Sequence, residues 1–145
     1  MISIRVLALD PALSIPEYAR PGDAAVDLIS ANDVELASGG GRGCISTGLA
    51  LELPEGYCAL VLPRSGLAAN HGITCLNAPG LIDSGYRGEI QVVLVNTDPS
   101  STYLVKRGDR IAQLMVQPVA QVHFVSVDEL SPSARGEGGF GHSGR

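Results

Sequence analysis

Short runs of β-forming residues recur along this chain at nearly regular spacing, and this pattern restricts the possible folds more than any other feature. Clusters of Gly, Pro, Asn or Asp separate the runs, and such clusters favour turns between strands. No segment carries a helical period beyond a turn or two at residues 65–70. The pattern therefore predicts an all-β sandwich or barrel. The β-type runs span residues 2–9, 24–30, 34–36, 44–50, 57–63, 72–76, 90–96, 102–105, 110–118 and 122–127.

A jelly-roll-like arrangement is the expected form of this all-β fold. An immunoglobulin sandwich fits less well, because the chain has no Trp and therefore no Cys…Trp…Cys pattern. The chain has 145 residues, a length typical of one domain. From Ser131 onward the sequence holds five glycines and one large apolar side chain, too little to offset the entropy cost of ordering. We therefore expect a β domain over residues 1–130 and a flexible C-terminal arm over residues 131–145.

Charge and composition exclude several classes of protein. The net charge of −5 argues against general nucleic-acid binding, which needs a basic surface. No apolar run approaches the roughly 20 residues that cross a membrane. Cys44, Cys58 and Cys75 show no metal-binding or disulfide spacing and are expected to be reduced core thiols. With no secretory signal after Met1, these features predict a cytoplasmic protein.

The stretch Leu76–Glu89 combines an amide, a carboxylate, a phenol and a guanidinium with three glycines and a proline. Pro79-Gly80 and Ser84-Gly85 are both turn signals, so we expect a tight hairpin over Asn77–Tyr86 with its polar groups facing one concavity. Each residue alone suits an ordinary surface turn. A plain hairpin does not need Asn77, Asp83, Tyr86 and Arg87 together, so their combination indicates a binding hairpin.

Three further segments contain polar residues with two possible roles each. Ser65, after Arg64, either caps a helical turn or binds an oxyanion there, and Arg64 pairs with a carboxylate or a phosphate. Asp27 lies in an apolar strand and needs a salt bridge or a Mg²⁺ site. Gln113, also in an apolar strand, needs either a cross-strand contact or a ligand phosphate.

The C-terminal arm has one combination suited to a nucleotide. Phe140 among glycines suits stacking, while Arg135, Ser143 and closely spaced backbone amides suit phosphate oxygens. Nine Arg against one Lys also favour an arginine phosphate site, although genome base composition gives the same bias. A flexible end without a role is the alternative.

A hydrolase triad of Ser65, His71 and Asp83 is rejected, because Ser65 lacks the Gly-x-Ser-x-Gly elbow.

Five segments resemble, in order, the motifs of the trimeric dUTP diphosphatases. The hairpin and the Arg-Gly-x-Gly-Gly-Phe-Gly arm are the most specific of them. Ala25 and Val26 stand where Gly and Leu are commoner, and His142-Ser143 replaces a usual Ser-Thr. The five segments are Ala24–Ser30, Pro63–Gly66, Asn77–Glu89, Gly108–Leu114 and Arg135–Gly144.

The resemblance implies a jelly-roll homotrimer that hydrolyses dUTP to dUMP and pyrophosphate with Mg²⁺. It implies active sites shared between subunits, each closed by the arm of another chain. Asp83 would hold the attacking water and act as its base, and Asp27 would contact the metal through water. The implied substrate-binding residues are Arg64, Ser65, Gly66, Asn77, Gly80, Ile82, Tyr86, Gln113, Arg135, Phe140, Gly141 and Ser143.

Within that set the resemblance implies separate tasks. Arg64 would brace the active-site carboxylates, Gln113 would contact an inner phosphate, and Phe140 would stack on uracil. Tyr86 would press on the sugar and exclude a 2′-hydroxyl.

Two rival functions remain to be separated by experiment. A dCTP deaminase of the same superfamily uses a glutamate, whereas this chain has Asp83 and a Phe-containing arm. A non-catalytic nucleotide-binding or protein-interaction trimer would bind dUTP without releasing pyrophosphate.

Overall fold

A computed structural model describes residues 2–139; residue 1 and residues 140–145 lie outside the described part. Within the described part the chain forms ten strands and one short helix. The elements are β1 Arg5–Ala8, β2 Val26–Ile29, β3 Val34–Leu36, β4 Arg42–Glu52, β5 Tyr57–Leu62, α1 Ser65–His71, β6 Ile73–Cys75, β7 Gly80–Ile82, β8 Glu89–Asn96, β9 Tyr103–Val105 and β10 Arg110–Pro118.

The strands form two four-stranded sheets and one two-stranded sheet, and every pairing is antiparallel. The first sheet has the order β1-β4-β8-β6 and the second has the order β2-β10-β5-β7, while β3 pairs with β9. One hydrophobic cluster draws side chains from both larger sheets, including Ile45 and Leu94 from the first and Leu28 and Ile111 from the second. Each of these four is at least 98% buried, and a buried aliphatic side chain of this size contributes about 1.5–3 kcal/mol. The expected all-β, jelly-roll-like fold is confirmed.

The predicted strand at residues 122–127 is wrong. This segment forms no strand and pairs with no strand among residues 2–139. Its apolar side chains face outward, and Phe124 is 90% exposed. Apolar alternation identifies a segment suited to a sheet, but a strand also needs a pairing partner, and no strand within residues 2–139 pairs with this segment.

The expected hairpin over Asn77–Tyr86 is also wrong. β6 pairs with β8 in the first sheet, whereas β7 pairs with β5 in the second. The stretch therefore crosses from one sheet to the other and returns. Turn residues mark where a chain reverses or bends, but they do not determine which strand it joins next.

The three cysteines are free thiols, as expected. Cys58 and Cys75 are buried, and burial raises the pKa of the Cys75 thiol to about 11. Cys44 is exposed, so the prediction of a core position is wrong for that residue. No helix in the described part of the chain is long and apolar enough to span a bilayer.

Asn96 at the end of β8 links three backbone segments from a fully buried position. Its Nδ2 donates to the carbonyls of Leu36 at 3.0 Å and Ser101 at 2.8 Å, and its Oδ1 accepts from the Asp98 N–H at 3.0 Å. These bonds satisfy backbone groups at the junction of β3 with the turn after β8. These three hydrogen bonds explain why the amide side chain of Asn96 is found at a fully buried position.

We expect Asn96→Ala to reduce the free energy of unfolding by about 2–4 kcal/mol, because it leaves buried backbone groups without partners. Asn70→Ala, at an exposed position of α1, is the matched control and should change it by less than about 0.5 kcal/mol. Urea denaturation at one fixed protein concentration measures both. Equal effects for the two variants would contradict this role for Asn96.

Candidate functional site

A charged cluster lies at one end of the second sheet, around Asp27. The Arg64 Nε donates to Asp27 Oδ1 at 3.0 Å, and an Arg64 Nη1 donates to the backbone carbonyl of Arg110 at 3.1 Å. Arg110 Nη1 approaches Asp27 Oδ2 at 3.4 Å. The Asp27 and Arg64 side chains are each 25% exposed, so this pair is partly shielded from water. Asp27 thus has the salt-bridge partner that its apolar strand requires.

Strand pairing places Gln113 in the same row as Asp27. β10 lies between β2 and β5, and Gln113 faces Asp27 on one side and Leu62 on the other. Arg64 follows two residues after Leu62, the last residue of β5, and its contacts with Asp27 and Arg110 place it at the same end of the sheet. The sheet thus brings together Asp27, Arg64 and Gln113, which lie far apart in sequence.

Two clefts meet at Asp27. One of about 320 Å³ is bounded by Asp27, Gln113, Glu17 and Asp23, and the other of about 520 Å³ is bounded by Asp27, Glu17 and Arg110. Residues 2–139 contain no group of three or more His, Cys, Asp or Glu side chains that could hold a metal ion. Both oxygens of Asp27 already face arginines. This donor set fits a Mg²⁺ ion held mainly by phosphates and water, with one carboxylate contact through water, and does not fit an all-protein cage.

Asp83 begins a compact turn that follows β7. The Tyr86 N–H donates to the Asp83 carbonyl at 3.1 Å and closes the turn around Ser84-Gly85, as the turn signal predicts. An Arg87 Nη1 donates to the carbonyls of Ser84 at 2.6 Å and Tyr86 at 2.9 Å. The Arg87 side chain therefore holds the backbone of the turn and leaves the exposed Asp83 carboxylate available.

Glu89 anchors the far side of this turn, and sequence reasoning did not find its role. Its Oε1 accepts from the Gly48 N–H at 2.8 Å, and its Oε2 accepts from Ser46 Oγ at 3.4 Å. The β4–β8 register shifts at this point, and Gly48 has a φ of 71°. Gly48 inside an apolar strand pattern was the available signal, since such a glycine often marks a bulge.

The open edge of β7 faces a cleft of about 280 Å³. Ile82, Tyr86 and Glu89 are among the residues that line it. Because β7 is the last strand of its sheet, its outward backbone N–H and C=O groups are not used by the ladder within residues 2–139. Asn77 and Asp83 are not in the lining, so only part of the predicted concavity is present here.

Asp83 and Asp27 lie in different places within one chain. Ile82 pairs with Ala59 of β5, whereas the Asp27 row crosses β5 at Leu62. These two positions on β5 are three residues apart, about 10 Å along the strand. Asp83 then leaves β7 in the direction away from that row. β7 and β2 are also three strand spacings apart, about 14 Å across the sheet. The single chain therefore does not bring the two carboxylates together.

The remaining predicted residues of the described part lie at the start of α1 and at the start of β7. Ser65 and Gly66 open α1 beside the charged cluster, and Ser65 is exposed. Arg64 occupies the N-cap position with no side-chain cap bond, so the capping role for Ser65 is wrong. Ser65 and His71 are the first and last residues of α1, about 9 Å apart along the axis, which agrees with rejecting the triad. Gly80 begins β7, and its backbone packs against Val61.

The described part of the arm makes only local hydrogen bonds among residues 2–139. Arg135 Nε donates to the Gly138 carbonyl at 2.7 Å, and the Gly136 N–H donates to the Ser133 carbonyl at 3.1 Å. Phe140, Gly141 and Ser143 lie outside the described residues.

Comparisons with known proteins agree on one family. A family model described as dUTPase matches residues 12–144. A deoxyuridine 5'-triphosphate nucleotidohydrolase of Thermobifida fusca is 57% identical over 143 residues, covering 99% of this chain and 79% of that protein. The corresponding protein of Corynebacterium efficiens is 53% identical, with 99% and 78% covered.

Solved structures show the same architecture. A Staphylococcus bacteriophage 80alpha dUTPase with dUPNHPP superposes with a TM-score of 0.90 at 28% identity, and all of both chains is covered. A mutant dUTPase from phage phi11 of S. aureus has a TM-score of 0.80 at 26% identity, with 90% of this chain and 100% of that chain covered. That structure is described as revealing the coordination of a structural Mg(II) ion.

Proposed function

The chain belongs to the dUTPase family and is a dUTP diphosphatase, and from this premise we propose how it acts. Water attacks the α-phosphorus of dUTP and expels pyrophosphate, with Mg²⁺, in active sites shared between the subunits of a homotrimer. The reaction limits uracil incorporation into DNA and supplies dUMP for thymidylate synthesis. The three free thiols support a cytoplasmic location.

The separation of Asp83 from Asp27 is the observation that carries this proposal. A base that directs water at the α-phosphorus must lie beside the groups that bind the same phosphates. Asp83 and the Asp27–Gln113 row are about 10 Å apart along the strands and about 14 Å across them. A second copy of the chain, which brings its Asp83 to the Asp27 end of the first, completes the site.

Exposed apolar side chains near the end of the β domain support the same assembly. Val122, Phe124 and Leu130 are 68%, 90% and 87% exposed in the single chain. Burying such side chains contributes about 25 cal/mol per Å² of apolar surface. Contacts between copies would cover this segment, which finds no cover among residues 2–139.

In the proposed reaction Asp83 orients the attacking water and accepts its proton. Its position supports this role, because the turn that carries it is fixed at both ends: β7 pairs with β5, and Glu89 binds the Gly48 amide. A fixed base supplies much of its effect through orientation.

Phosphate binding falls to the opposite end of the sheet. Ser65 and Gln113 would donate to oxygens of the inner phosphates, where negative charge develops as the pyrophosphate leaves. Arg64 would brace Asp27, and the 3.0 Å contact between them supports this. When bound, Mg²⁺ would neutralise phosphate charge, with Asp27 contacting its water shell.

Base selection is assigned to the stretch from Asn77 to Ile82. The open edge of β7 offers backbone donors and acceptors that match uracil O4 and N3–H, and Asn77, Gly80 and Ile82 lie on or beside it. Cytosine presents the opposite pattern, and a site built on one pattern rejects the other strongly. Tyr86, in the wall of the adjacent cleft, would press on the sugar and exclude a 2′-hydroxyl.

The arm would close the site over the nucleotide. Arg135 and Ser143 would bind the γ-phosphate, Gly141 would approach the phosphates with its backbone, and Phe140 would stack on uracil. The local hydrogen bonding of residues 133–138 supports an arm that is not committed to its own β domain.

Pyrophosphate release from dUTP, UTP, dCTP and dTTP, with Mg²⁺ and with chelator, tests the function directly. We expect dUTP to be hydrolysed at least about 100-fold more efficiently than the others, and only with Mg²⁺. Ammonia release from dCTP would instead support a deaminase. dUTP binding without pyrophosphate release would support a non-catalytic trimer.

We expect Asp83→Asn to lower kcat by about 10²–10⁴-fold, because the amide cannot accept a proton from water. The dissociation constant of dUPNHPP, measured by calorimetry, should stay within about threefold of the native value. Glu55→Gln, an exposed change between β4 and β5, is the control and should leave kcat unaltered. Normal turnover in Asp83→Asn would remove Asp83 as the base.

Truncation after Pro132 should lower kcat/KM for dUTP by at least about tenfold, because the lost arm orders the triphosphate. The thermal midpoint and the number of subunits in the assembly should not change, since residues 133–139 make no core contacts. A large fall in stability with normal kinetics would assign the arm a structural role.

A further inference from the structure

The ring of Tyr86 lies directly over Gly88. A Cβ atom placed on Gly88 would stand 2.5 Å from Tyr86 Oη, 2.7 Å from Cζ and 3.1 Å from Cε2. Favourable contacts between carbon atoms begin near 3.5 Å, so even one methyl group would force the ring to move by about 1 Å. The ring position therefore depends on the absence of a side chain at residue 88.

The Tyr86 hydroxyl holds the ring in this place. Tyr86 Oη donates to the Glu89 carbonyl at 2.9 Å. The Tyr86 side chain is 47% exposed and is not among the side chains that pack on the hydrophobic core of residues 2–139. The Glu89 backbone is itself anchored through the bond from the Gly48 N–H to the Glu89 carboxylate. The Tyr86 ring is thus held by its hydrogen bond to the Glu89 carbonyl and lies against the backbone of Gly88.

The backbone of Gly88 does not itself require glycine. Among the glycines of residues 2–139, those with φ in the left-handed region do not include Gly88 or Gly85. A Cβ on Gly85, three residues earlier in the same turn, would meet no atom within 4 Å. Gly85 therefore serves as a matched control: the same substitution, in the same turn, without contact to the ring.

We propose that Gly88 is a positioning residue for sugar selection, which sets the ring of Tyr86 where it separates dUTP from UTP. The inference rests on the proposed role of Tyr86 against the 2′-hydroxyl. The two substrates differ by one oxygen atom, so a displacement of about 1 Å is enough to alter which of them fits. In this proposal Gly88 acts through the position of the Tyr86 ring.

The test compares kcat/KM for UTP and dUTP in Gly88→Ala, Gly85→Ala, Tyr86→Ala and the Tyr86→Ala/Gly88→Ala double variant. We expect the UTP/dUTP ratio to rise at least about tenfold in Gly88→Ala and in Tyr86→Ala. In Gly85→Ala it should stay within about twofold of the native ratio. In the double variant, Gly88→Ala should add less than about twofold to the effect of Tyr86→Ala, because the ring it displaces is absent.

The outcomes separate the two ideas. An unchanged ratio in Tyr86→Ala contradicts the proposed sugar gate itself. A raised ratio in Tyr86→Ala with a native ratio in Gly88→Ala overturns only the inference about Gly88. If Gly88→Ala alone fails to fold, the thermal midpoint decides: recovery in the double variant supports the ring contact, and failure of both overturns it.

Discussion

The pairing of β5 with β10 on one side and with β7 on the other determines where Asp27, Gln113 and Asp83 lie within the chain. One register aligns Leu62 with Gln113 and Asp27, and the other aligns Ala59 with Ile82. Side-chain period in a strand is two, so these registers also fix which side chains face the core. The end that carries Asp27 and Gln113, where we propose that phosphate binds, and the end that carries Asp83 are therefore kept apart by the same hydrogen bonds that hold the sheet together.

The two ends use different physical means to hold their functional groups. Around Asp27 the means is charge, because Arg64 and Arg110 compensate a carboxylate that an apolar strand would otherwise exclude. Around Asp83 it is hydrogen bonding to the backbone: the Arg87 guanidinium donates to a carbonyl of the turn, and the Tyr86 phenol donates to the carbonyl of Glu89 at the start of β8. Ion pairs therefore hold Asp27, whereas hydrogen bonds to the backbone hold the turn that carries Asp83.

Local features of the sequence predicted the strands and the candidate residues, and nonlocal pairing accounts for most of what it did not predict. The run at Val34–Leu36 and the turn at Ser84-Gly85 follow directly from residue types. The hairpin over Asn77–Tyr86 failed because β7 finds its partner in β5, about twenty residues earlier. The segment 122–127 failed because alternation does not provide a neighbouring edge.

The candidate site also combines features that the local sequence predicts with features that depend on nonlocal contacts. Side-chain chemistry identified Asp27 as needing a partner, and the structure supplies Arg64. The contact between Glu89 and Gly48 joins residues 41 positions apart, so the local sequence does not indicate it. The contact between Gly88 and Tyr86 depends on the orientation of the Tyr86 ring, which only the three-dimensional structure gives. In the proposed assembly, where each site draws on different copies, a defect is not confined to the subunit that carries it. Mixing subunits damaged at different ends of the sheet would restore some intact sites, whereas one kind of damaged subunit would impair sites that it shares with normal subunits.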